Sequence, residues 1–261
     1  MTTAVESKLA RLTVDISGPV ARLVLRNPPL NVIDIPMMEE LVYALAALET
    51  RSNVSVIVLS GDGKAFSAGV DVAAHTPDKV ETMLAKFHAA VRALLASKQV
   101  TVAAVHGHCL GGGAELAMVC DMVCTTASAQ WGFPEIKLAC YPPVACTALA
   151  ALVGQKRAVE LILTGRIIGG MEAARIGLVT RAVPDEELSS AVDNTVGELI
   201  RLSPAALALT KKATYTWDAM HFDKGLARAE KIYSEELMKT ADAQEGIRAF
   251  MEKRAPNWIG K

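Results

Sequence analysis

The sequence predicts a mixed α/β fold with a helical carboxy-terminal region. Three observations carry that expectation. Short β-branched or alternating apolar segments (Val20 to Leu25, Val54 to Leu59, Thr101 to Val105, Met122 to Thr126) recur with helical periodicity between them. A run of glycines, Gly111-Gly112-Gly113, joins one of these strands to a helix. From about Pro142 onward the pattern is mostly helical.

The first helix follows Val20 to Leu25. Asp34 is its expected N-cap and Pro36 suits its first turn. Met37, Leu41, Ala44, Leu45 and Leu48 give it one apolar stripe. Val80 to Ala96 repeats the pattern with Val80, Met83, Leu84, Phe87, Val91, Leu94 and Leu95. Thr101 to Val105 runs into the glycines, and a helix is expected from about Gly112 through Glu115 to Val119. Leu178 to Val183 reads as the last strand, ended by Pro184. Glu186 to Leu202, a helix opened by Ser203-Pro204 and two more ending near Lys253 complete the chain. The expected division is an α/β core over 1–190 and a helical region over 191–261. No low-complexity linker separates them, so the helices should pack on the core or on another subunit. No internal repeat stands out beyond the strand–helix alternation.

Bulk properties exclude several classes. With 261 residues, 51% of them hydrophobic, the chain can bury a large core and is not disordered by default. A net charge of -1 without a long basic run argues against a nucleic-acid partner. The absence of an apolar run of about 18 residues argues against a membrane span. Met1 to Ala10 carries Glu6 and Lys8 and no apolar region of a secretory signal. The cysteines are odd in number, and Cys109, Cys120 and Cys124 lie in apolar stretches, as reduced thiols of a cytoplasmic protein would.

The chemistry-bearing residues are Glu115, closing His106-Gly107-His108-Cys109-Leu110-Gly111-Gly112-Gly113-Ala114-Glu115, and Glu135 in Trp131-Gly132-Phe133-Pro134-Glu135. A second glycine turn lies upstream, in Ala65-Phe66-Ser67-Ala68-Gly69-Val70-Asp71. Either glutamate alone reads most simply as a first-turn charge favoured by the helix dipole. Both in apolar surroundings suggest more, because buried carboxylates are costly unless paired or used. Two backbone N–H donors facing a carbonyl and two carboxylates facing a water would suit addition of water to an activated double bond. The glycines fit neither a dinucleotide fingerprint nor a phosphate-binding loop, and no G-x-S-x-G elbow occurs. His106, His108, Cys109, Cys120 and Cys124 are close in sequence, but their spacing makes a weak case for zinc. His75, His88 and His221 have no evident partner, and His88 reads as a surface or packing residue.

These segments resemble the enoyl-CoA hydratase/isomerase superfamily, the crotonase fold. The resemblance runs over nearly the whole chain. It includes Lys64 to Asp71, His108 to Ala117, Phe133 to Leu138, Leu163-Thr164-Gly165-Arg166, Ala173 to Val179 and Glu245 to Arg254. It implies a spiral core of ββα turns and a helical carboxy-terminal region that builds homotrimers or homohexamers. It implies an acyl-CoA thioester as substrate, with coenzyme A part of that substrate and no separate cofactor. Glu115 and Glu135 match both catalytic glutamates of the hydratases, and the Ala68 and Gly112 N–H groups are expected as the oxyanion hole. Substrate and CoA contacts are expected from Pro29, Ala65, Ala68, Gly69, Val70, Asp71, Val72, Gly111, Gly112, Phe250 and Lys253. Lys211 is a further candidate for the CoA phosphates.

Two segments depart from the linear-chain hydratases. Cys140-Tyr141-Pro142-Pro143-Val144-Ala145 replaces a proline–glycine-rich stretch, and Asn27 to Asp34 replaces the usual basic CoA-binding stretch. Pro29 stands where a phosphate-contacting lysine often lies. Both segments, and Lys253 to Trp258, resemble cyclohexa-1,5-diene-1-carbonyl-CoA hydratases of anaerobic benzoyl-CoA breakdown. A short-chain 2-enoyl-CoA hydratase, an enoyl-CoA isomerase and a non-catalytic acyl-CoA or RNA binder are the alternatives.

Overall fold

The computed structural model describes residues 9–76 and 78–259, without the side chains of 216–221. Two features of the sequence lie outside the described residues: the side chain of His221, and the amino-terminal stretch up to residue 8.

Strands β1 (Leu12–Ser17) and β2 (Val20–Leu25) form a hairpin that opens the fold. Gly18, at φ 58, makes the turn between them. Helix α1 (Ile35–Glu49) starts as expected: the Asp34 carboxylate accepts the Met37 N–H at 3.0 Å. A unit then repeats three times. In it a long strand leads to a three-residue strand and then to helix. The first is β3 (Val56–Gly61), β4 (Ala65–Ser67) and α2 (Val80–Ala96). The second is β5 (Val100–Val105), β6 (His108–Leu110) and α3 (Gly112–Met118). The third is β7 (Met122–Thr126), β8 (Gln130–Gly132) and, after a 3-10 turn over Pro134–Leu138, α4 (Pro143–Val153). The long strands pair in parallel with one another, as do the short ones. These are the ββα turns that the family resemblance implied; residue patterning alone did not reveal them, because three-residue strands leave no periodicity to detect.

The rest of the chain is α5 (Gln155–Thr164), β9 (Ile167–Gly169), α6 (Gly170–Arg175), β10 (Arg181–Val183), α7 (Leu188–Leu199), α8 (Pro204–Glu235) and α9 (Ala241–Met251). Two sheets result, in the orders β1-β2-β3-β5-β7-β10 and β4-β6-β8-β9. The larger sheet is buried on both faces, as its parallel strands require. Val56, Val58, Val100, Val102 and Cys124 meet α7 on one face. Alternate residues, including Leu23, Ile57, Leu59, Ala103 and Val105, join the main core on the other.

Two element boundaries differ from expectation. The last strand begins at Arg181, because Gly177 at φ 85 closes α6 and Leu178 donates back to the Ala173 carbonyl. Where three helices were expected after Ser203, α8 runs on unbroken to Glu235, and only α9 follows a 3-10 turn. Helix α8 packs on α4 at Gly225, where an added Cβ would come 2.8 Å from the Thr147 methyl. Near its start Lys211 is buried, its Nζ 2.8 Å from Asp121 and 2.9 Å from the Gln99 carbonyl. The sequence left open whether Lys253 or Lys211 meets the CoA phosphates; these contacts turn the Lys211 donors into the fold and away from that role. Of the two readings of His88, surface or packing, the second holds: it is fully buried, and it has a partner that the sequence did not show, its Nδ1 lying 2.6 Å from Glu230 of α8.

Candidate active site

The first wall of the site is the turn after β4. The buried Asn31 side chain donates to the Asp62 and Ala65 carbonyls, both at 2.8 Å, and Ser67 Oγ donates to the Asn31 carbonyl at 2.7 Å. This clamps residues 27–33 against 65–71. The two segments then exchange backbone bonds, Ile33 N–H to the Gly69 carbonyl and Asp71 N–H to the Ile33 carbonyl. In such a parallel bridge the N–H of the intervening residue, Val70, points the other way. Among the described residues it has no acceptor. The expectation for Ala68 is therefore corrected: its N–H is spent on the Leu30 carbonyl at 2.9 Å, and Val70 carries the free donor.

The second wall is the β6–α3 turn. Gly111 sits at φ 51, which favours glycine, and it bonds to the Gly132 carbonyl of β8. A Cβ on Gly111 would come 2.5 Å from Glu135 Oε1, so the carboxyl of Glu135 rests on the bare glycine backbone. Gly112 follows as the first residue of α3, a position whose N–H has no partner within the helix. A Cβ there would come 2.6 Å from Val70 Cγ2. The two free N–H groups thus belong to adjoining residues, and both residues line one cavity.

Glu115 and Glu135 enter the same cavity, of about 380 Å³. Glu115 is 2% exposed, and its Oε1 accepts the Ala145 N–H at 2.9 Å. Ala145 lies in the first turn of α4, where the helix dipole also favours a negative charge. Burial pushes the Glu115 carboxyl above the ordinary carboxylate range, and the N–H groups of Ala145 and Val144 oppose the rise. Glu135 is raised too, by burial first and by the Glu115 charge second. Its Oε2 is buried with no partner among the described residues. Glu115 is therefore the carboxylate better supplied with hydrogen-bond donors, and Glu135 the better proton holder.

The far wall comes from helices. Tyr141, Pro142 and Pro143 lead into α4, Tyr233 comes from α8 and the half-exposed Phe250 from α9. Helix α9 is seated on the turn that carries Glu135 by Gly246, where a Cβ would come 2.3 Å from the Leu138 carbonyl. Of the expected substrate contacts, Ala68, Gly69, Val70, Val72, Gly111, Gly112 and Phe250 line the cavity. Ala65 does not, being fully buried in β4. Asp71 instead caps the turn over Val72–His75, accepting the Ala73 N–H at 3.0 Å. Pro29 and Lys253 are exposed outside the cavity. His75, Phe87, Cys140 and Tyr233 also line it, and none was singled out for chemistry. Phe87 shares a helical stripe with Met83, a signal that it faces inward; Tyr233 offered only an aromatic ring among charged neighbours. His75 Nδ1 lies 3.0 Å from the Asp71 carbonyl, and burial lowers its pKa, favouring a neutral ring. Among the described residues no three His, Cys, Asp or Glu side chains group as a metal site would.

The enoyl-CoA hydratase/isomerase family model matches residues 15–261. This chain belongs to the enoyl-CoA hydratase/isomerase family. The cyclohexa-1,5-dienecarbonyl-CoA hydratase of Thauera aromatica is 34% identical over 248 residues, covering 95% of this chain and 96% of that one. A probable enoyl-CoA hydratase of Bacillus subtilis is also 34% identical over 248 residues, covering 93% and 96%. The crystal structure of an enoyl-CoA hydratase from Mycobacterium avium subsp. paratuberculosis superposes with a TM-score of 0.87 at 29% identity, covering 96% of this chain and 99% of its own. The mixed α/β core and carboxy-terminal helices are thus those of the enoyl-CoA hydratase/isomerase family, whose hydratases are carbon–oxygen lyases.

Proposed function

We propose that the chain adds water to a conjugated enoyl-CoA thioester, and that the acyl group is a ring: cyclohexa-1,5-diene-1-carbonyl-CoA becoming 6-hydroxycyclohex-1-ene-1-carbonyl-CoA. One observation carries the hydratase reading. Two buried carboxyls with raised pKa values share a cavity with two unoccupied backbone N–H groups, on Val70 and Gly112. The N–H pair would hold the thioester oxygen as negative charge develops on it. Ionised Glu115 would take a proton from water as the water oxygen bonds to the β-carbon. Protonated Glu135 would return a proton to carbon, which balances the addition. For a linear enoyl group that carbon is the α-carbon. For the ring diene, hydroxyl at C2 and the named product together require the proton at C5, with the remaining double bond moving to C1–C6.

The ring reading is supported by the rigid Tyr141-Pro142-Pro143 wall and by the Thauera relative. The cavity volume, about 380 Å³, lies in the range of small-molecule sites, roughly 300–1,000 Å³. Coenzyme A would arrive with the substrate, with no further cofactor, and exposed Lys253 and Lys137 are the nearby cations we assign to its phosphates. Exposed Ile200, Leu202 and Leu209 offer apolar surface for a homotrimer or homohexamer. No helix among the described residues is long and apolar enough to cross a membrane. A cytoplasmic location is part of the proposal.

The test compares initial rates of water addition to the ring dienoyl-CoA and to crotonyl-CoA. Preference for the ring supports the full reading, and the product formed in deuterium oxide should carry its label at the substrate's C5, which is C3 in the numbering of the product. Preference for crotonyl-CoA keeps the mechanism and makes the substrate a short-chain 2-enoyl-CoA. Deuterium exchange without water addition points to an isomerase. CoA binding without either reaction points to a non-catalytic binder.

A further inference from the structure

Tyr233 is one of the cavity-lining side chains that the hydration scheme leaves unused. It comes from α8, far along the chain from both glutamates, and is 1% exposed. Its ring is fixed edge-on against Tyr141, with centroids 5.1 Å apart, and Tyr141 is itself held by a 2.6 Å bond from its hydroxyl to the Ala229 carbonyl. Among the described residues the Tyr233 hydroxyl has no partner in hydrogen-bonding geometry; the Cys140 thiol is close enough to interact with it but is a weak partner that leaves it unsatisfied, and Glu135 lies nearby. Glu135 Oε2, lining the same cavity, is equally without a partner. Buried hydroxyls and carboxyls are normally satisfied, and two exceptions in one cavity ask for a shared ligand. That ligand must be small, polar, and able both to accept from a phenol and to bond a carboxyl. A water or an alcohol oxygen has those properties.

We propose that Tyr233 is a specificity-determining residue that donates a hydrogen bond to the oxygen added in the reaction: the water before addition, and the new hydroxyl of the hydroxyacyl-CoA after it. This rests on the hydratase reading above. Glu115 takes a proton from that oxygen and Glu135 supplies the proton for carbon, while Tyr233 fixes the oxygen's place against the acyl group. The α8 helix thereby gives the cavity a sensor for hydroxyl-bearing acyl groups over their saturated or deoxy counterparts.

The test is Tyr233→Phe, which keeps the ring contact with Tyr141 and removes only the hydroxyl. Wild type is first assayed with crotonyl-CoA and the ring dienoyl-CoA; failure on both overturns the hydratase reading, and this inference with it. With the active substrate, two numbers are then compared: the KM of the hydroxyacyl-CoA in the dehydration direction, and the Ki of the matching acyl-CoA without the hydroxyl. These pairs are 3-hydroxybutyryl-CoA with butyryl-CoA, or 6-hydroxycyclohex-1-ene-1-carbonyl-CoA with cyclohex-1-ene-1-carbonyl-CoA. The expected result is a KM raised about tenfold, the scale of one hydrogen bond in affinity, with the Ki unchanged. The melting temperature should stay level or rise, because an unsatisfied buried hydroxyl has been removed. Equal weakening of both ligands, or of neither, overturns the proposal while leaving hydration by wild type intact.

Discussion

Two buried glutamate regions of this molecule use the same side chain to opposite ends. Glu245, on α9, is 7% exposed and saturated with partners: Arg248 at 2.6 Å, Arg254 at 2.6 Å and the Asn257 N–H at 3.0 Å. Those partners hold its carboxyl well below the ordinary range, with the Arg254 bonds as the largest cause. It fastens the carboxy-terminal tail to the helix that presents Phe250. Glu135 has a glycine backbone beneath it and an oxygen with no partner, and burial drives its carboxyl upward. Surroundings and donors together separate the structural carboxylate from the chemical one: two arginines and a backbone N–H satisfy Glu245 near the surface, while the Glu135 carboxyl is enclosed in an apolar cavity with few donors.

The largest effects should come from the cavity pair. Glu115→Gln and Glu135→Gln are each expected to lower turnover by about two orders of magnitude or more, with folding intact by circular dichroism. Full activity in either would break the assignment. Gly111→Ala should cost activity by a different route. Its Cβ would fall 2.5 Å from Glu135 Oε1, and its φ of 51 strains any L side chain. The catalytic loss should approach that of Glu135→Gln, and a variant at wild-type rate would mean that the Glu135 carboxyl is not held there. Glu245→Gln should reverse the pattern, with a lower melting temperature and a kcat close to wild type, any kinetic loss appearing in KM through Phe250. A kcat loss as large as that of Glu135→Gln would erase the contrast.

The smallest effect is in the pH dependence of stability, where the two regions have opposite signs. An unfolded glutamate titrates near about 4.3. Folded Glu135 keeps its proton to higher pH, so the folded chain binds more protons in that window and loses stability as pH rises through it. The melting-temperature gain of Glu135→Gln over wild type should therefore grow between about pH 5 and about pH 8. Glu245, with a lowered folded value, contributes stability above the ordinary glutamate range and loses it as pH falls below. A Glu135→Gln difference that is flat with pH would remove the charge argument.

The sequence was most legible where signals are local. The apolar stripe of Val80 to Ala96 marks α2 to the residue, Asp34 and Ser203 announce their helices, and the apolar neighbours of Glu115 and Glu135 anticipate that both line one enclosed cavity. It was least legible where a distant segment decides. Whether Ala68 or Val70 offers its N–H depends on which of them Leu30 and Ile33 engage, and no local pattern encodes that. The burial of His88 against Glu230, 142 positions along the chain, is of the same kind. Tyr233 was passed over because only packing on Tyr141 brings its ring to the cavity.

The free donors on Val70 and Gly112 are main-chain atoms, so mutation has little purchase on them. A new side chain at position 70 changes the shape beside the thioester and leaves the N–H in place, because the bridge to Ile33 aims it. The far wall is lined by Tyr141, Tyr233 and Phe250 together with Pro142 and Pro143. On the proposed reading, charge stabilisation rests on the main chain and the fit of the acyl group on these side chains, so a substitution on that wall would change the substrate accepted and leave both donors in place.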